Sequence, residues 1–301
     1  PAGQTRPMLI AQISDPHVTI EGTAVRSLVD TPQRFADALA TCAALPKVPD
    51  VILLTGDLVN DGTAAEYELL AEALAEAPCP VLPIPGNHDD PVLLHATFAA
   101  LDVCGATLPD PRSGPFHYVV DDHPVRLVAL DSTVAGHHHG QVTEQSAAWL
   151  DATLAAAPEH PTMLFMHHVP YATGAWWFDY SGIAGRDLLR EVLVRHPQVL
   201  RVVSGHVHRA TSTQWGHLTL SSAPSTAFLS GTGVGDGPPL IVDQRSAPQL
   251  FAVDGDSLVA SEADLPGPRL SIDMRDLVQD WSTYESVTRS RGPVPKDMFG
   301  G

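Results

Sequence analysis

Five short fragments along this 301-residue chain carry side chains that bind divalent metal ions in proteins. Each fragment directly follows an apolar run with the length and composition of a buried strand. In chain order they are Asp15-Pro16-His17, Gly56-Asp57, Gly86-Asn87-His88-Asp89, His167-His168 and Gly205-His206-Val207-His208. The ends of neighbouring strands can bring such donors to one point, and two ions can share a carboxylate such as that of Asp57. The sequence therefore predicts one site that holds two metal ions.

The five fragments resemble the signature of the calcineurin-like metallophosphoesterases, which runs D-x-H, G-D, G-N-H-D or E, a later H, and G-H-x-H. All five blocks occur here in that order, and the resemblance extends roughly from Met8 to Asp264. Two segments, Gly86-Asn87-His88-Asp89-Asp90 and Gly136-His137-His138-His139-Gly140, are similar to class III cyclic-nucleotide phosphodiesterases and their glycerophosphodiesterase relatives. The resemblance implies an α/β fold, a four-layer αββα sandwich of two mixed β-sheets flanked by helices.

The resemblance also implies which residues hold the metals. One ion would be held by Asp15, His17 and His208. The second would be held by Asn87, His167 and His206, and the Asp57 carboxylate would bridge the two ions. These nitrogen and oxygen donors suit Fe, Mn, Zn or Co, and none is a cysteine. Two such ions lower the pKa of a shared water from 15.7 to about 7, and the resulting bridging hydroxide would attack phosphorus.

His88 follows Asn87 directly, on a loop that must turn sharply after Gly86. Its ring can therefore face a bound phosphate without binding metal. We expect Asn87 and His88 to bind substrate, and His88 to protonate the leaving alkoxide or to stabilise the phosphoryl oxygens. A structural hydrogen bond is the alternative for His88. Asp89 or Asp90 would orient that imidazole or a metal-binding histidine, and the sequence does not choose between them.

Other features leave alternatives open. The loop His137-His138-His139 is either a solvated polar loop or a rim that contacts the substrate or supports the site. His168 is expected to support the site rather than to bind metal, because the neighbour of a ligand usually points elsewhere. The aromatic run Trp176-Trp177-Phe178 would either stack a nucleobase or simply pack. In many relatives a histidine follows the Ser225-Thr226-Ala227 type of segment, whereas this chain has Phe228 there.

Composition restricts the class of protein. The formal net charge is −18 with only 17 Lys and Arg residues, which disfavours nucleic-acid polymers and anionic membranes as partners. Three scattered cysteines, Cys42, Cys79 and Cys104, are poor material for a disulfide framework. Residues 1–7 contain no apolar core of a signal peptide, and no apolar run approaches the roughly 18–20 residues of a membrane span. A cytoplasmic protein is expected.

Short apolar strands alternate with amphipathic helical stretches along the first half of the chain, and the part beyond Gly205 is rich in strands. Thr31 and Pro32 predict a helix start with Thr31 as N-cap, and Thr63-Ala64-Ala65-Glu66 is a capping box. Strands are expected at 8–13, 51–54, 81–84, 116–120, 125–130, 163–166, 200–203, 211–215, 217–221, 250–253 and 258–261, and later helices at 144–156 and 186–195.

We expect a catalytic domain at 1–265 and a C-terminal extension at 266–301. The extension carries spaced large apolar residues, too few for a core: Leu270, Ile272, Leu277, Trp281 and Tyr284. Because such side chains are unfavourable in water, we expect them to dock on the body or across a homodimer. A loop rich in glycine and proline is expected at 230–239.

The five metal-binding fragments, through the family that they resemble, favour an enzyme that hydrolyses a small phosphodiester, 3′,5′-cyclic AMP to 5′-AMP. A glycerophosphodiesterase or a broadly specific phosphodiesterase is the alternative enzyme. A metal-dependent binding protein without turnover is the alternative of another class.

Overall fold

The structure is a computed structural model that describes residues 7–180, 182–231, 235, 238, 240–265, 280, 282–283 and 285–286. The chain separates into two units, Pro1–Leu265 and Pro266–Gly301. The five large apolar residues of the extension all lie outside the described residues, so its docking stays a prediction. Across the described part of the chain, no helix is long and apolar enough to cross a membrane.

Strands and helices alternate along the first unit. The strands are β1 (Met8–Ile13), β2 (Val51–Thr55), β3 (Val81–Ile84), β4 (Tyr118–Val120), β5 (Arg126–Ala129), β6 (Gly140–Gln141), β7 (Thr162–Phe165), β8 (Ile183–Ala184), β9 (Val199–Ser204), β10 (Thr211–Trp215), β11 (Leu218–Ser222), β12 (Leu229–Ser230), β13 (Ile241–Val242), β14 (Gln249–Asp254) and β15 (Ser257–Glu262). The helices are α1 (Ala24–Leu28), α2 (Thr31–Ala43), α3 (Ala64–Leu74), α4 (Pro91–Leu101), α5 (Glu144–Ala155), α6 (Trp176–Tyr180) and α7 (Arg186–Leu193).

Two mixed sheets contain most of the strands. The first has the order β15-β14-β1-β2-β3, with β1, β2 and β3 parallel and the hairpin of β14 and β15 antiparallel to them. The second has the order β10-β11-β9-β7-β5-β4, with a parallel centre and an antiparallel strand at each edge. The parallel strands form one contiguous part of each sheet, and the metal-binding fragments follow β1, β2 and β3 of the first sheet and β7 and β9 of the second.

The hydrophobic core fills three spaces between four layers. Buried residues of α2, α3 and α4, such as Phe35, Leu70 and Phe98, belong to one core cluster with the first sheet and with inward-facing residues of the second, such as Phe165. On the other face of the second sheet, residues of α5 and α7 such as Leu150 pack against it. The layers are thus helix, sheet, sheet, helix, which confirms the predicted αββα sandwich.

Local signals predict some helix starts and miss others. The capping box is confirmed, because the Glu66 carboxylate accepts from the backbone N–H of Thr63 at 3.1 Å. The predicted Thr31 cap is wrong, since Asp30 caps α2 by accepting from the backbone N–H of Gln33 and Thr31 is already helical. Helix α4 was not predicted from the sequence. It begins with Pro91 behind the Asp90 cap, and α2 likewise has a proline, Pro32, in its first turn behind the Asp30 cap.

Candidate metal centre

The predicted donors lie just beyond the carboxyl ends of five strands, all of which belong to the parallel part of their sheet. Parallel strands end at the same edge of a sheet, so donors that follow them gather there. Strand by strand the donors are Asp15 and His17 after β1, Asp57 after β2, Asn87 after β3, His167 after β7, and His206 and His208 after β9. The structure brings all seven together.

The backbone at the site is unusual. Five of the donors have a left-handed backbone, which costs non-glycine residues of the order of 1–3 kcal/mol each. They are Asp15 (φ 50°), His17 (42°), Asp57 (50°), His206 (69°) and His208 (52°). Strain of this kind persists only where the surrounding structure enforces it. Here the left-handed residues turn the backbone sharply after each strand, so that the donor side chains lie at the strand ends.

Three glycines allow these segments to approach one another. A Cβ at Gly205 would lie 2.1 Å from Ser14 Oγ, and one at Gly86 would lie 2.2 Å from the backbone nitrogen of Asp57. At Gly56, with φ +89°, a Cβ would lie 2.3 Å from His167 Nδ1. The glycine in each of these fragments is therefore required by close packing around the donors.

The first group of donors surrounds one point. His17 Nε2 lies 3.1 Å from His208 Nε2, and His208 Nε2 lies 3.5 Å from Asp15 Oδ1. Asp57 Oδ2 is 3.6 Å from His17 Nε2. Ligands of an ion bound at about 2.1 Å are themselves separated by roughly 3.0–3.4 Å, so this spacing is close to that of a coordination shell.

The second group lies on the other side of Asp57. His167 Nε2 is 3.4 Å from Asp57 Oδ2 and 3.1 Å from Asn87 Oδ1. The ring nitrogens of His167 and His206 lie within 4.8 Å of each other, and His206 Nε2 is buried with no hydrogen-bond partner. Asp57 faces both groups, the position that a bridging carboxylate requires.

The hydrogen bonds of these rings show that the facing atoms are acceptors. His167 Nδ1 donates to the Thr55 carbonyl oxygen at 2.8 Å, and His208 Nδ1 donates to that of Phe228 at 3.2 Å. The Nε2 of each neutral ring therefore carries a lone pair. Buried acceptors that converge in this way need protons or a metal cation between them. The donor set thus fits two metal ions bound through nitrogen and oxygen.

Charge and burial favour the metal-binding forms of most donors. Burial holds the pKa of His17 and of His206 well below its usual range and lowers that of His208 to about 3. Burial alone would raise the pKa of Asp57, but the charges of His167, His17 and His88 and the hydrogen bond from His167 together hold this pKa well below the usual range. Neutral imidazoles beside an ionised carboxylate are the species that coordinate a metal ion.

His88 lines the cavity beside the donors, and its backbone N–H donates to Asp57 Oδ1 at 2.9 Å. Its Nδ1 donates to the Asn60 carbonyl oxygen at 2.6 Å, so that carbonyl orients the ring. The expectation that an aspartate orients it is wrong. Asp89 accepts from Tyr67 Oη and from backbone N–H groups around Gly86, whereas Asp90 caps α4. Sequence reasoning missed Asn60 because a main-chain acceptor leaves no signal in residue type.

His168 lies near His167 and His206, but protein atoms already contact both of its ring nitrogens. Nδ1 is 2.9 Å from Ser132 Oγ, and Nε2 is 3.2 Å from the His138 carbonyl oxygen. These contacts fit a supporting position better than a ligand.

The histidines of the loop His137-His138-His139 differ in their contacts with the site. His138 Nδ1 lies 3.1 Å from Asn87 Nδ2, which places this ring at the site. The exposed His137 bonds to its own loop, at Ala135. Of the alternatives left open for the loop, His138 fits the supporting rim.

A cavity of about 490 Å³ opens next to the donors. Besides the donors, its lining is largely apolar and aromatic, and it includes Val25, Trp177, Phe178, Phe228 and Ile241. Phe228 stacks on His17 with ring centroids 5.4 Å apart. No Lys or Arg is among the described residues that line this cavity.

Known proteins share both sequence and fold with this chain. The family model of the calcineurin-like phosphoesterases matches residues 8–210. The glycerophosphodiester phosphodiesterase GpdQ of Enterobacter lignolyticus is 34% identical over 219 residues, which cover 73% of this chain and 77% of that protein. The 3′,5′-cyclic adenosine monophosphate phosphodiesterase CpdA of Escherichia coli K12 is 32% identical over 225 residues, covering 75% of this chain and 78% of that protein.

Among solved structures, a dimetal phosphatase from Danio rerio has the same fold. Its TM-score is 0.62 at 15% identity, and the match covers 87% of this chain and 98% of that one. The purple acid phosphatase PPD1 of yellow lupin gives a TM-score of 0.60 at 13% identity, over 86% of this chain and 52% of that one. The family match spans more than half of the sequence and includes all seven donors, so the chain belongs to the calcineurin-like phosphoesterases.

Proposed function

We propose that this chain is a phosphodiesterase that hydrolyses 3′,5′-cyclic AMP to 5′-AMP with two bound metal ions. The cavity beside the donors is the observation that carries this proposal. One side of it presents Asp57, Asn87, His206 and His208, and another presents apolar and aromatic side chains. The donors suit a phosphoryl group bound through metal, and the apolar side suits a nucleobase.

The charge of the cavity favours a diester over a monoester. A monoester is a dianion at neutral pH and is usually held by arginine forks, whereas a diester carries one negative charge. The described lining contains no Arg or Lys. The metal ions would then supply the positive charge that a small anion needs in a protein of net charge −18.

In the proposed reaction, Asp15, His17, Asp57 and His208 hold one ion, and Asn87, His167 and His206 hold the other with Asp57 shared. Bound ions of this kind, Fe, Mn, Zn or Co, polarise phosphoryl oxygens and lower the pKa of water. His88 gives a proton to the leaving ribose oxygen. Its Nδ1 is bonded to Asn60, so Nε2 is the atom that donates, and the Asn60 carbonyl stabilises the charged ring.

The aromatic lining favours a nucleoside as the organic part. Trp177 and Phe178 of α6 and Phe228 present ring faces and edges to the cavity, and stacking on such rings is worth about 1–3 kcal/mol per base. The cysteines Cys42, Cys79 and Cys104 are free thiols, which supports the cytoplasmic location we propose for this activity.

A glycerophosphodiester is the second candidate substrate, because GpdQ, a glycerophosphodiester phosphodiesterase, is 34% identical to this chain. The decisive experiment ranks kcat/KM of metal-reconstituted protein on cyclic AMP, cyclic GMP, 2′,3′-cyclic AMP, glycerophosphodiesters and bis-p-nitrophenyl phosphate. We expect cyclic AMP to rank first. A higher rank for glycerophosphodiesters would replace the nucleotide proposal, and fully metallated protein that turns over none of them would favour a binding protein.

Two neighbouring tryptophans supply a matched control for the nucleobase. Trp177 lines the cavity, whereas Trp176 is 49% exposed and is not part of its lining. Trp177→Ala should raise KM for cyclic AMP about tenfold and leave that for an aliphatic glycerophosphodiester unchanged, since the latter has no aromatic ring to stack. Trp176→Ala should change neither. Equal effects of the two variants would contradict stacking on Trp177.

A further inference from the structure

A second cavity, of about 320 Å³, borders one of the donors, His206. Its lining shares Phe178 and His206 with that of the larger cavity. The rings of these two residues contact edge to face, with centroids 5.6 Å apart. The two cavities therefore lie on either side of one aromatic wall, and His206, a proposed metal ligand, faces both.

The two cavities differ in chemistry. The larger is apolar apart from the donors and their neighbours, whereas the smaller is lined by Arg186, Asp179, Thr173, Tyr180 and His139 among others. Arg186 is the only Lys or Arg among the described residues that line either cavity. It therefore supplies the only fixed positive charge in the described lining of the two cavities.

The Arg186 guanidinium is available to a ligand. It is exposed at the first position of α7 and has no ion-pair partner among the described residues. The one carboxylate in the same lining, Asp179, is already engaged by three donors: the Thr173 backbone N–H at 2.7 Å, the Thr173 hydroxyl at 2.9 Å and the Gly174 backbone N–H at 2.9 Å. Asp179 keeps its negative charge, but these bonds hold its oxygens to its own loop, and within the described part of the chain no ion pair joins it to Arg186.

A linear phosphodiester has two organic arms, and the phosphorus lies between them. We propose that the smaller cavity is a subsite for the second arm of a linear phosphodiester and that Arg186 selects an arm ending in an anionic group, a carboxylate or a phosphate. Phosphorus at the donors would place one arm on each side of the wall of Phe178 and His206.

The inference rests on the proposed phosphodiesterase activity and extends it. In a cyclic 3′,5′-diester both ester oxygens belong to one ribose, so such a substrate occupies a single cavity. The second cavity therefore broadens the expected range to linear diesters with two unlike arms, an apolar or nucleoside arm and an anionic one.

The test uses p-nitrophenyl alkyl phosphodiesters on the metal-reconstituted full chain. The alkyl arm ends in carboxylate, methyl or ammonium at matched lengths of two to five methylene groups, and the p-nitrophenolate leaving group is the same throughout. A second series places the carboxylate on the leaving aryl arm, so that either orientation in the site is covered. Methyl-terminated esters report the phosphodiesterase activity itself, and the ratio of carboxylate to methyl reports the subsite.

At the best arm length, the kcat/KM of the wild type should be about 3- to 10-fold higher for the carboxylate ester than for the methyl ester. A partly exposed charge-assisted hydrogen bond contributes an effect of this size. Arg186→Gln should bring the ratio of carboxylate to methyl ester close to one without changing turnover of the methyl ester. Arg186→Glu should make the ammonium ester the preferred substrate. Arg190→Gln removes the same charge from the same helix, where Arg190 lies over the Trp215 ring, and should keep the preference.

Two results would overturn the subsite. One is the absence of a carboxylate preference on either arm while the methyl ester is hydrolysed. The other is an equal loss of preference in Arg190→Gln, which would assign the effect to the general field. Absence of hydrolysis of every ester would instead contradict the proposed function.

Discussion

Main-chain carbonyls fix which histidine nitrogens face the metal centre. Thr55 and Phe228 each accept from the Nδ1 of one ring, His167 and His208 respectively, and so direct the lone pair of Nε2 towards the other donors. The Ser225 hydroxyl supports the same region by donating to the Asp15 carbonyl at 2.7 Å while accepting from Ala227 N–H at 3.0 Å. The donors are thus oriented by groups that bind no metal.

His88 is the residue whose proposed role can be separated from metal binding. His88→Ala should lower kcat by about 10²- to 10⁴-fold for a ribose leaving group, the range of general acid catalysis, and much less for p-nitrophenolate, which leaves without a proton. Metal content should stay near that of wild type. Asp57→Ala is the control, because loss of the shared carboxylate should remove metal and lower activity on both substrates alike.

Kinetics of both variants on cyclic AMP and bis-p-nitrophenyl phosphate, together with metal analysis, check this prediction. Equal losses of His88→Ala on the two substrates would exclude proton donation and favour phosphate positioning. Loss of metal from His88→Ala would show that the ring supports the ligands through its edge-to-face contact with His17.

At the residue scale, motifs predict which side chains gather but not how each is held. The seven donors, the resemblance and the supporting position of His168 follow from residue type and order. The partner of His88 does not, because the Asn60 carbonyl belongs to the main chain. Nor does the wall between the cavities, because Phe178 and His206 are distant in sequence and meet only through packing of α6.

At the scale of elements, the site depends on sharp turns after buried strands. Each turn places a donor over the strand ends, and left-handed residues and close-packed glycines make the turns possible. The turn after β2 shows this best, since Gly56 has φ +89° and no room for a Cβ, which would meet His167 Nδ1 at 2.3 Å.

Gly56→Ala therefore tests the turn after β2, with Gly22→Ala as a matched control. Gly22 has nearly the same φ, +91°, but no atom lies within 4 Å of its Cβ position. Both variants bear the backbone strain, of the order of 1 kcal/mol, and only Gly56→Ala displaces His167. We expect Gly56→Ala to lose metal and melt well below Gly22→Ala, which should keep its metal. Equal metal content would contradict this account of the turn.

Sequence patterns locate the strands of this fold well and its shorter helices poorly. Strands β1, β3 and β10 have the predicted bounds, because an apolar run between turns has few alternatives. Helix α6 falls in an aromatic run for which the sequence predicts no helix, because five residues are too few to show a helical period. The pairs β6 with β8 and β12 with β13 are two residues long and depend on tertiary contacts.

At the scale of the molecule, a protein of net charge −18 holds protons among the metal donors at one end of its sheets. In the metal-free protein two donors still carry protons. Burial raises the pKa of Asp15 to about 7, and repulsion from Asp57 adds to the shift. Burial would lower the pKa of His167, but the carboxylates of Asp57 and Asp15 raise it to about 9.

Metal binding must release these protons. Below pH 7 both donors are protonated, between pH 7 and 9 only His167 is, and above pH 9 neither is. Affinity for the first ions should therefore fall about tenfold per pH unit from 9 to 7, and more steeply below 7. Calorimetry of Mn²⁺ or Zn²⁺ binding in buffers of different ionisation enthalpy counts the protons. Affinity independent of pH between 6 and 8 would contradict these shifts.

The last prediction concerns where the chain can be cut. All seven proposed ligands lie between Asp15 and His208, and the first sheet is completed by β14 and β15, whose final backbone bond runs from Ala263 N–H to the Pro248 carbonyl at 2.9 Å. A chain ending at Leu265 should therefore keep both metals and its kcat/KM. A chain ending at Arg245 lacks β14 and β15, so β1 becomes an edge strand and loses the buried Phe251 and Val253 of β14. That shorter chain should lose metal and fail to melt cooperatively, because Asp15 and His17 follow β1. Metal analysis, turnover and light scattering of the two chains check this: loss of metal from the chain ending at Leu265 would show that the extension contributes to the site, and a fall in mass with metal intact would show that it holds a dimer together.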